Sequence, residues 1–272
     1  MKYVVAVSGG VDSMVLMHML HKLPGAELVV AHFDHGIRDD SHVDAQLVAE
    51  TARKYGLTFE TKREELGRSA GEAVARERRY AFLRDIAKKH QAQLVTAHHM
   101  DDLVETIAIN LSRGTGWRGL AAFDSEITRP LVDVSKKVLL EYAKTHDITW
   151  REDSTNAQDV YLRNKLRHKT KELSLEQKRE LRTLHSVQRA LKVEIEKEVL
   201  ALIGEGPEYS RYLFTHLKSP VALECLRIAT KGALTRPQMV RLLHAIKVTK
   251  PGYIYEAGAG VKVRFTPRQF SL

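Results

Sequence analysis

The chain has 272 residues, 43% of them hydrophobic, which suffices for one large or two modest globular domains. No apolar stretch approaches the roughly 18–20 residues that a membrane span needs, and the five consecutive apolar residues before Ser8 are too few for the core of a signal peptide. The single cysteine, Cys225, excludes disulfides and cysteine-clustered metal sites within one chain. We therefore expect a cytoplasmic protein without a membrane partner.

The net charge of +9 is distributed unevenly along the chain. Residues 1–150 carry 20 Lys or Arg and 21 Asp or Glu, whereas residues 205–272 carry 11 and 4. A basic segment appended to a neutral one is typical of proteins that bind a polyanion, most often nucleic acid. A basic surface that only keeps the protein soluble would have the same composition, so charge alone leaves both interpretations open.

Strand-like apolar runs alternate with helix-like stretches over the first 150 residues. Strands are predicted at 3–7, 27–33, 57–64 and 92–99, and helices at 12–23, 41–56, 71–90, 101–114 and 135–146. This alternation predicts an α/β fold in which helices cover both faces of a parallel, doubly wound sheet. Ligands of such sheets bind beyond the carboxyl ends of the strands, where the unusual sequences SGGVDS, HFDHGIR and TAHHMDD all fall.

The character of the sequence changes after about residue 157. Residues 161–204 and 208–247 are predicted to be helical, with a turn or linker at 204–207 between them. Residues 252–265 alternate around a Gly-Ala-Gly turn, which predicts a hairpin. We expect a first domain, residues 1–172, and a smaller, mostly helical and basic C-terminal domain, residues 173–272.

The loop SGGVDS, residues 8–13, connects the first predicted strand to the first predicted helix. Gly9 and Gly10 let backbone amides approach a ligand, a helix N-terminus attracts anions, and the two serines can add hydroxyl donors. A Walker A loop also carries a Lys that reaches the β- and γ-phosphates, whereas this loop carries Asp12. Such a carboxylate repels phosphate unless it caps the helix or shares a cation such as Mg²⁺. The loop fits a pyrophosphate leaving group, and a plain glycine turn with an aspartate cap is the alternative.

The string SGGVDS after a first strand resembles the PP-loop of the ATP pyrophosphatases, which split ATP into AMP and pyrophosphate. Further strings resemble, in the same order, the motifs of one family of that group, the tRNA(Ile)-lysidine synthases. They are AHFDHGIR (31–38), EAVARERRY (72–80), TAHHMDDLVET (96–106), RGTGWRGL (113–120), RPL (129–131), EDSTN (152–156) and RNKLRH (163–168). Gly71 and Leu103 stand where Asn and Gln are usual, and a proline often found soon after residue 168 is missing. Residues 175–272 contain none of these motifs and resemble the family only in their length and in their basic, helical character.

The resemblance implies the PP-loop, or adenine nucleotide α-hydrolase-like, fold and an ATP-dependent carbon–nitrogen ligase. ATP, with Mg²⁺, would adenylate O2 of the wobble cytidine in the CAU anticodon of tRNA(Ile) and release pyrophosphate. The ε-amine of free L-lysine would then attack the carbon that carries this oxygen and release AMP, which forms lysidine. Residues 1–172 would be the ATP-binding catalytic domain, and residues 173–272 would bind tRNA and substrate.

The resemblance also implies roles for particular residues. The residues that contact ATP would be Ser8, Gly9, Gly10, Val11, Asp12, Ser13, Arg79 and Arg113. Asp102 and Glu105, three residues apart on one helix face, would hold the substrate lysine together with His98, and one carboxylate would accept a proton from the amine. Asp34 would carry Mg²⁺ or orient the reacting base. The catalytic set would be Asp34, Arg79, Asp102 and Glu105, and the tRNA contacts would be Arg163, Asn164 and Arg167.

Structural alternatives stay open at several of these positions. The helix dipole favours an acidic helix start such as Asp101, Asp-His-Gly at 34–36 is also good turn chemistry, and Arg113 could be only a C-terminal helix charge. Three aromatic residues among basic ones could stack on unpaired bases, although their spacing favours core packing. They are Tyr209, Tyr212 and Phe214.

Two other functions are compatible with parts of the sequence. A tRNA thiolase of the same superfamily would need a persulfide-carrying cysteine, usually one of a pair, whereas Cys225 is alone. A catalytically silent RNA-binding protein would not need the intact loop together with Asp34, Asp102 and Glu105. The oligomeric state is left open, with a homodimer as one candidate.

Overall fold

The computed structural model describes residues 1–36, 40–67, 71–123, 126–152, 166 and 169–272. The chain forms two compact units, Met1–Gln188 and Arg189–Leu272. The functional domain limits predicted from the sequence, 1–172 and 173–272, stay a prediction.

The strands of the first unit form a parallel sheet. They are β1 (Lys2–Ala6), β2 (Glu27–Asp34), β3 (Thr58–Arg63) and β4 (Gln93–Val95), hydrogen-bonded in the order β3-β2-β1-β4. β1 pairs in parallel with both β2 and β4, and β2 pairs in parallel with β3. The predicted parallel sheet is confirmed. β4 is shorter than the predicted strand 92–99, because the chain leaves the sheet after Val95, which also forms an isolated bridge with Thr128.

Helices cover both faces of this sheet. They are α1 (Val11–His21), α2 (Ser41–Lys54), α3 (Glu72–Lys89), α4 (Met100–Ser112), α5 (Trp117–Leu120) and α6 (Lys136–Thr145). Val5 and Val30 belong to an apolar core shared with α1, α2 and α6, whereas Val4 and Val29 pack in a second core with α3. Alternate strand residues therefore face different cores, which explains the apolar strand sequences and confirms the doubly wound arrangement.

A long helix, α7 (Leu175–Ile203), begins in the first unit and continues into the second. At its start, Ser174 N–H donates to Gln177 Oε1 and Gln177 N–H donates to Ser174 Oγ, the reciprocal bonds of a capping box. At its end, Gly204 adopts φ +77°, and its N–H donates to the Leu200 carbonyl oxygen. These local sequences explain the limits of α7. Neither α7 nor any other helix of the described residues is long and apolar enough to cross a membrane.

The second unit combines helices with an antiparallel sheet. Beyond α7 its elements are β5 (Glu208–Ser210), α8 (Arg211–His216), α9 (Ser219–Ala229), α10 (Arg236–Val248), β6 (Ile254–Gly258), β7 (Val261–Phe265) and β8 (Gln269–Ser271). The sheet order is β5-β8-β7-β6. The predicted hairpin is confirmed as β6 and β7. β5 and β8 are not predicted from the sequence, because strands of 3 residues are too short to show alternation.

The aromatic residues between 209 and 214 divide between core and surface. Tyr209 and Phe214 are buried in the core of the second unit. Tyr212 is 72% exposed, and the centroid of its ring lies 4.0 Å from that of His216. Core packing is therefore confirmed for two of the three aromatic residues, and Tyr212 alone among them presents its ring at the surface.

We predict that Phe214→Ala lowers the free energy of unfolding by about 3–5 kcal/mol, because it leaves a cavity in this core. The matched change Tyr212→Ala removes an exposed ring and should cost less than about 0.5 kcal/mol. Urea denaturation followed by circular dichroism measures both losses. Equal losses in the two variants would contradict the different burial of the two rings.

Candidate active site

A cavity of about 550 Å³ lies at the carboxyl ends of β1, β2 and β4. Its walls come from the loop after β1, the end of β2, the first turn of α2, the turn after β4 and the middle of α3. The predicted site residues that line it are Ser8, Gly10, Asp12, Ser13, Asp34, Arg79, His98 and Asp102. The cavity therefore lies where a parallel sheet is expected to bind ligands, and the three unusual sequences all contribute to it.

The other predicted site residues do not line this cavity. Gly9 lies in the loop, Val11 is the first residue of α1, and Glu105 is buried one turn beyond Asp102 on α4. Arg113 is exposed at the far end of α4, about 16 Å along the helix from Asp102. The predicted tRNA contacts and parts of two motifs lie outside the described residues: Arg163, Asn164, Arg167, Arg38 and residues 153–156.

The loop after β1 is held in shape by its own two serines. Ser13 Oγ donates to the Gly10 carbonyl oxygen at 2.9 Å and accepts from Ser8 N–H at 3.1 Å, and the two hydroxyl oxygens lie 3.3 Å apart. Gly9 has φ +92°, and a Cβ at this position would lie 3.4 Å from Asp44 Cβ. The backbone therefore requires glycine at position 9, and the serines shape the loop as well as lining the cavity.

Asp12, in the first turn of α1, forms an ion pair. Lys136 Nζ, from the start of α6, lies 2.7 Å from each Asp12 carboxylate oxygen, and His99 Nε2 lies 3.7 Å from one of them. Burial alone would raise the pKa of Asp12, but His99 and Lys136 outweigh this effect and lower the pKa. A carboxylate fits a phosphate-binding loop if it caps the helix or shares a cation with the phosphate. Asp12 does have a cation beside it, the ammonium group of Lys136.

Lys136 is a residue that sequence reasoning missed. Lys136 and Lys137 open α6, where the positive end of the helix dipole disfavours a positive charge. This inversion of the usual charge preference is the local signal that could have marked Lys136. Its partner Asp12 lies 124 residues away in the sequence, so the ion pair itself has no local signal.

His99 and Asp102 form a capping box at the start of α4. His99 N–H donates to Asp102 Oδ2 at 2.9 Å, and the His99 ring Nε2 lies 3.5 Å from the same oxygen. Burial alone would lower the pKa of His99, but Asp12 and Asp102 outweigh it and raise the pKa. Burial raises the pKa of Asp102 against the opposing effect of His99. Asp102 therefore holds a proton more readily than an ordinary aspartate, which suits a group that accepts one from an amine.

Asp101 connects three helix starts. Its Oδ1 accepts from Lys178 Nζ at 2.6 Å, and its Oδ2 accepts from the backbone N–H of Lys136 at 2.8 Å. Burial alone would raise the pKa of Asp101, but Lys178 and the backbone bond outweigh it and lower the pKa. The acidic helix start expected at Asp101 is therefore also an ion-paired junction of α4, α6 and α7.

Cationic and neutral nitrogen groups form another part of the cavity wall. His98 Nδ1 lies 2.8 Å from Thr96 Oγ1. Burial, supported by neighbouring arginines, lowers the pKa of His98 to about 3, so the ring is neutral at neutral pH. Burial also lowers the pKa of Arg79, and no carboxylate in the described part of the chain pairs with its guanidinium. A half-buried guanidinium without a carboxylate is a suitable partner for phosphate.

Asp34, at the end of β2, combines a turn with a position on the cavity wall. Its Oδ1 accepts from Gly36 N–H at 2.9 Å, and its Oδ2 lies 3.5 Å from Arg63 Nη1. Asp34 therefore both stabilises the turn after β2 and lines the cavity. Within the described ranges, no group of three or more His, Cys, Asp or Glu side chains is arranged to hold a metal ion. A cation at Asp34 would thus need further ligands, such as phosphate oxygens or water.

A family model described as a PP-loop domain matches residues 1–174, which include every element that lines the cavity. The chain belongs to the PP-loop family. This PP-loop protein is 42% identical over 173 residues to a tRNA(Ile)-lysidine synthase of Exiguobacterium sibiricum, a match that covers 61% of this chain and 41% of the relative. It is 41% identical over 172 residues to a tRNA(Ile)-lysidine synthase of Thermus thermophilus, covering 60% and 34%. The chain spans less than half the length of these curated relatives.

The PP-loop protein also shares its fold with a solved structure. The U34-tRNA thiolase NcsA from Methanococcus maripaludis, solved with its 4Fe–4S cluster, has a TM-score of 0.59 and 15% sequence identity. The likeness covers 70% of this chain and 71% of that chain. At this identity it shows the fold alone, and it agrees with the α/β architecture predicted from the sequence.

We predict that His99→Gln destabilises the PP-loop protein more at acidic than at alkaline pH. The pKa of His99 is raised in the folded protein, so the stability from its protonated ring is present below its ordinary pKa of 6.5 and lost as the pH rises through the folded value. The variant should lose about 1–3 kcal/mol at about pH 6 and clearly less at about pH 9. Urea unfolding at both pH values measures the loss, and an equal loss at both would contradict a charged His99.

Proposed function

We propose that this PP-loop protein uses ATP to ligate L-lysine to C2 of the wobble cytidine in tRNA(Ile) with a CAU anticodon. The observation that carries the proposal is one cavity lined by the loop, Arg79, His98 and Asp102, within a segment that is 42% identical to a tRNA(Ile)-lysidine synthase. Helix N-termini and guanidinium groups bind phosphates, and carboxylates bind amines. The cavity therefore offers suitable groups to both ATP and lysine.

In the first step, O2 of the cytidine attacks the α-phosphorus of ATP, the bond to the β-phosphate breaks and pyrophosphate leaves. Backbone amides of the loop and the N-terminus of α1 would bind the departing pyrophosphate. Arg79, which has no carboxylate partner among the described residues, would bind a phosphate oxygen of the nucleotide. Because the terminal phosphoryl group is not transferred, the loop needs no Walker A lysine of its own.

Magnesium fits this site as a companion of ATP. Mg²⁺ usually binds through one or two carboxylates together with substrate phosphates, and Asp34 is a buried carboxylate on the cavity wall. When bound, the ion would offset negative charge on the polyphosphate. Asp12 is less suitable, because Lys136 already contacts both of its oxygens.

In the second step, the ε-amine of lysine attacks C2 of the adenylated cytidine, the bond between C2 and O2 breaks and AMP leaves. The amine attacks in its neutral form, so the lysine ammonium group must first release a proton. Asp102 lines the cavity and has a raised pKa, which makes it a better proton acceptor than an ordinary aspartate. The contact of Glu105 with the amine, carried over from the family, stays a prediction, because Glu105 is buried one turn further along α4 and does not line the cavity. The His98 ring is neutral, so it would contact the ammonium group of the substrate lysine without repelling it.

The second unit would bind the tRNA. Residues 205–272 carry 11 basic and 4 acidic residues, and Tyr212 presents an exposed ring on which a base could stack. The tRNA contacts carried over from the family stay predictions: Arg163, Asn164 and Arg167. A homodimer, a cytoplasmic location and a contact of Arg113 with ATP stay predictions as well.

A tRNA thiolase is the second candidate function, because such an enzyme shares the fold. The sequence has one cysteine, Cys225, which is fully buried in the core of the second unit. Burial raises the pKa of its thiol to about 11, so the thiol stays protonated at neutral pH. A buried, protonated thiol is a poor sulfur carrier or nucleophile, which supports lysine ligation instead.

The proposal is tested by ATP-dependent transfer of labelled lysine to an unmodified tRNA(Ile) transcript with a CAU anticodon. We expect label on this tRNA and none on elongator tRNA(Met), which has the same anticodon. Folded protein that binds ATP but transfers no lysine would contradict the proposal. It would then point to another nucleophile or to an RNA-binding role without catalysis.

A matched pair of variants sharpens the same assay. Asp102→Asn cannot accept a proton and should lower the transfer rate by about 10²–10⁴-fold. Asp85→Asn removes an exposed carboxylate of α3 outside the cavity and should transfer lysine as the wild type does. An unchanged rate in Asp102→Asn would contradict the role of Asp102 as proton acceptor.

A further inference from the structure

The loop 8–13 carries no basic side chain, although it is proposed to hold a polyphosphate. Its charged residue, Asp12, is an anion that lines the cavity. Two negative charges a few ångströms apart repel each other strongly in a partly buried site. A cation that makes this place suitable for polyphosphate must therefore come from outside the loop.

Lys136 brings such a cation from a distant part of the chain. Its Nζ lies 2.7 Å from each oxygen of Asp12, and its side chain keeps 39% of its surface exposed. An ammonium group has three N–H donors, and the two contacts to Asp12 use at most two of them. At least one donor remains for a ligand oxygen beside Asp12, which lines the cavity although Lys136 itself does not.

The backbone of Lys136 is fixed in place. Its N–H donates to Asp101 Oδ2 at 2.8 Å, and Asp101 Oδ1 accepts from Lys178 Nζ at 2.6 Å. The Lys178 side chain is only 12% exposed, so solvent screens this pair less than it screens a surface ion pair. A group that is already fixed loses less conformational entropy when it binds a ligand.

The position of Lys136 is unfavourable for the helix that it opens. A positive charge in the first turn of α6 opposes the helix dipole and destabilises the start of the helix. Binding a polyphosphate would explain why this cost is tolerated. Neutralisation of Asp12 alone is the competing explanation: Lys136→Met would then weaken polyphosphate binding only because it leaves the Asp12 charge unpaired, so that removing this charge as well, with Asp12→Asn, would restore binding.

We propose that Lys136 supplies the cation that the loop lacks: its ammonium group binds β- or γ-phosphate oxygens of ATP, and the Asp101–Lys178 pair positions it beside the loop. This inference rests on the proposed function, because it takes ATP as the ligand. Lys136 is then a binding residue, and Lys178 is a positioning residue that acts through Asp101.

Isothermal titration calorimetry with α,β-methylene-ATP, which cannot be cleaved at the reacting bond, and with AMP tests the role of Lys136. Lys136→Met should bind the ATP analogue about 10–100-fold more weakly and AMP within about twofold of the wild type, because AMP has no β- or γ-phosphate. Lys137→Met is the matched control, since Lys137 is the exposed neighbour on the same helix turn, and it should bind both nucleotides normally. Lys136→Arg keeps the charge and should recover most of the affinity.

The same titration tests the role of Lys178. Lys178→Met should weaken binding of the ATP analogue less than Lys136→Met does, because it removes only the support of Lys136. Lys178→Arg can still pair with Asp101 and should restore the affinity. Failure of Lys178→Arg to restore it, in a protein with wild-type thermal stability, would contradict positioning through this ion pair.

Three results would overturn the role of Lys136: equal losses of affinity for the analogue and for AMP in Lys136→Met, no loss for either, or recovery of the analogue affinity when Asp12→Asn is added to Lys136→Met. Lys136 would then be only the counter-ion of Asp12. Wild-type protein that binds the analogue but transfers no lysine would contradict lysine ligation alone. Wild-type protein that transfers lysine, with unchanged analogue affinity in Lys136→Met, would contradict the role of Lys136 alone. Wild-type protein that binds neither nucleotide would overturn both.

Discussion

Parallel pairing of β1 with both β2 and β4 is the constraint on which the candidate site depends. It brings the carboxyl ends of three strands to one edge of the sheet, so that the loop 8–13, Asp34 and the turn before α4 line one cavity. This pairing is stable because Val4 and Val5 enter different apolar cores on the two faces of the sheet. The helices that pack on the two faces of the sheet therefore determine where the reactive groups meet, and α1 and α3 also contribute residues to the cavity.

Compensation of partly buried charge is the second constraint. Three aspartates and three groups that offset them meet at the starts of α1 and α4: Asp12, Asp101, Asp102, Lys136, Lys178 and His99. Ion pairing lowers the pKa of Asp12 and Asp101, whereas burial leaves that of Asp102 raised. The cluster therefore contains two carboxylates that stay ionised, Asp12 and Asp101, and one with a higher proton affinity, Asp102. Such a cluster suits a site that must both receive a polyphosphate and take a proton from an amine.

The sheet, the loop and the hairpin are predictable from the sequence because each produces a local pattern. Apolar runs mark the strands, and SGGVDS marks the turn after β1. The pairs Asp12–Lys136 and Asp101–Lys178 are not predictable in this way, because their partners lie 124 and 77 residues apart. At Asp34 the local pattern fits both a turn and a site, and the structure shows one carboxylate that does both. Its two oxygens point to different partners, which no pattern of residue types specifies.

The proposed reaction breaks the bond between the α- and β-phosphates of ATP. Transfer of a terminal phosphoryl group would break the bond between the β- and γ-phosphates instead. The most direct measurement follows ATP labelled at the α- or the γ-phosphate in the presence of L-lysine and the tRNA(Ile) transcript. We predict labelled AMP from the first substrate and labelled pyrophosphate from the second, each in step with the lysine transferred. Labelled ADP and free phosphate would contradict this mechanism, because they would show that the bond between the β- and γ-phosphates is the one that breaks.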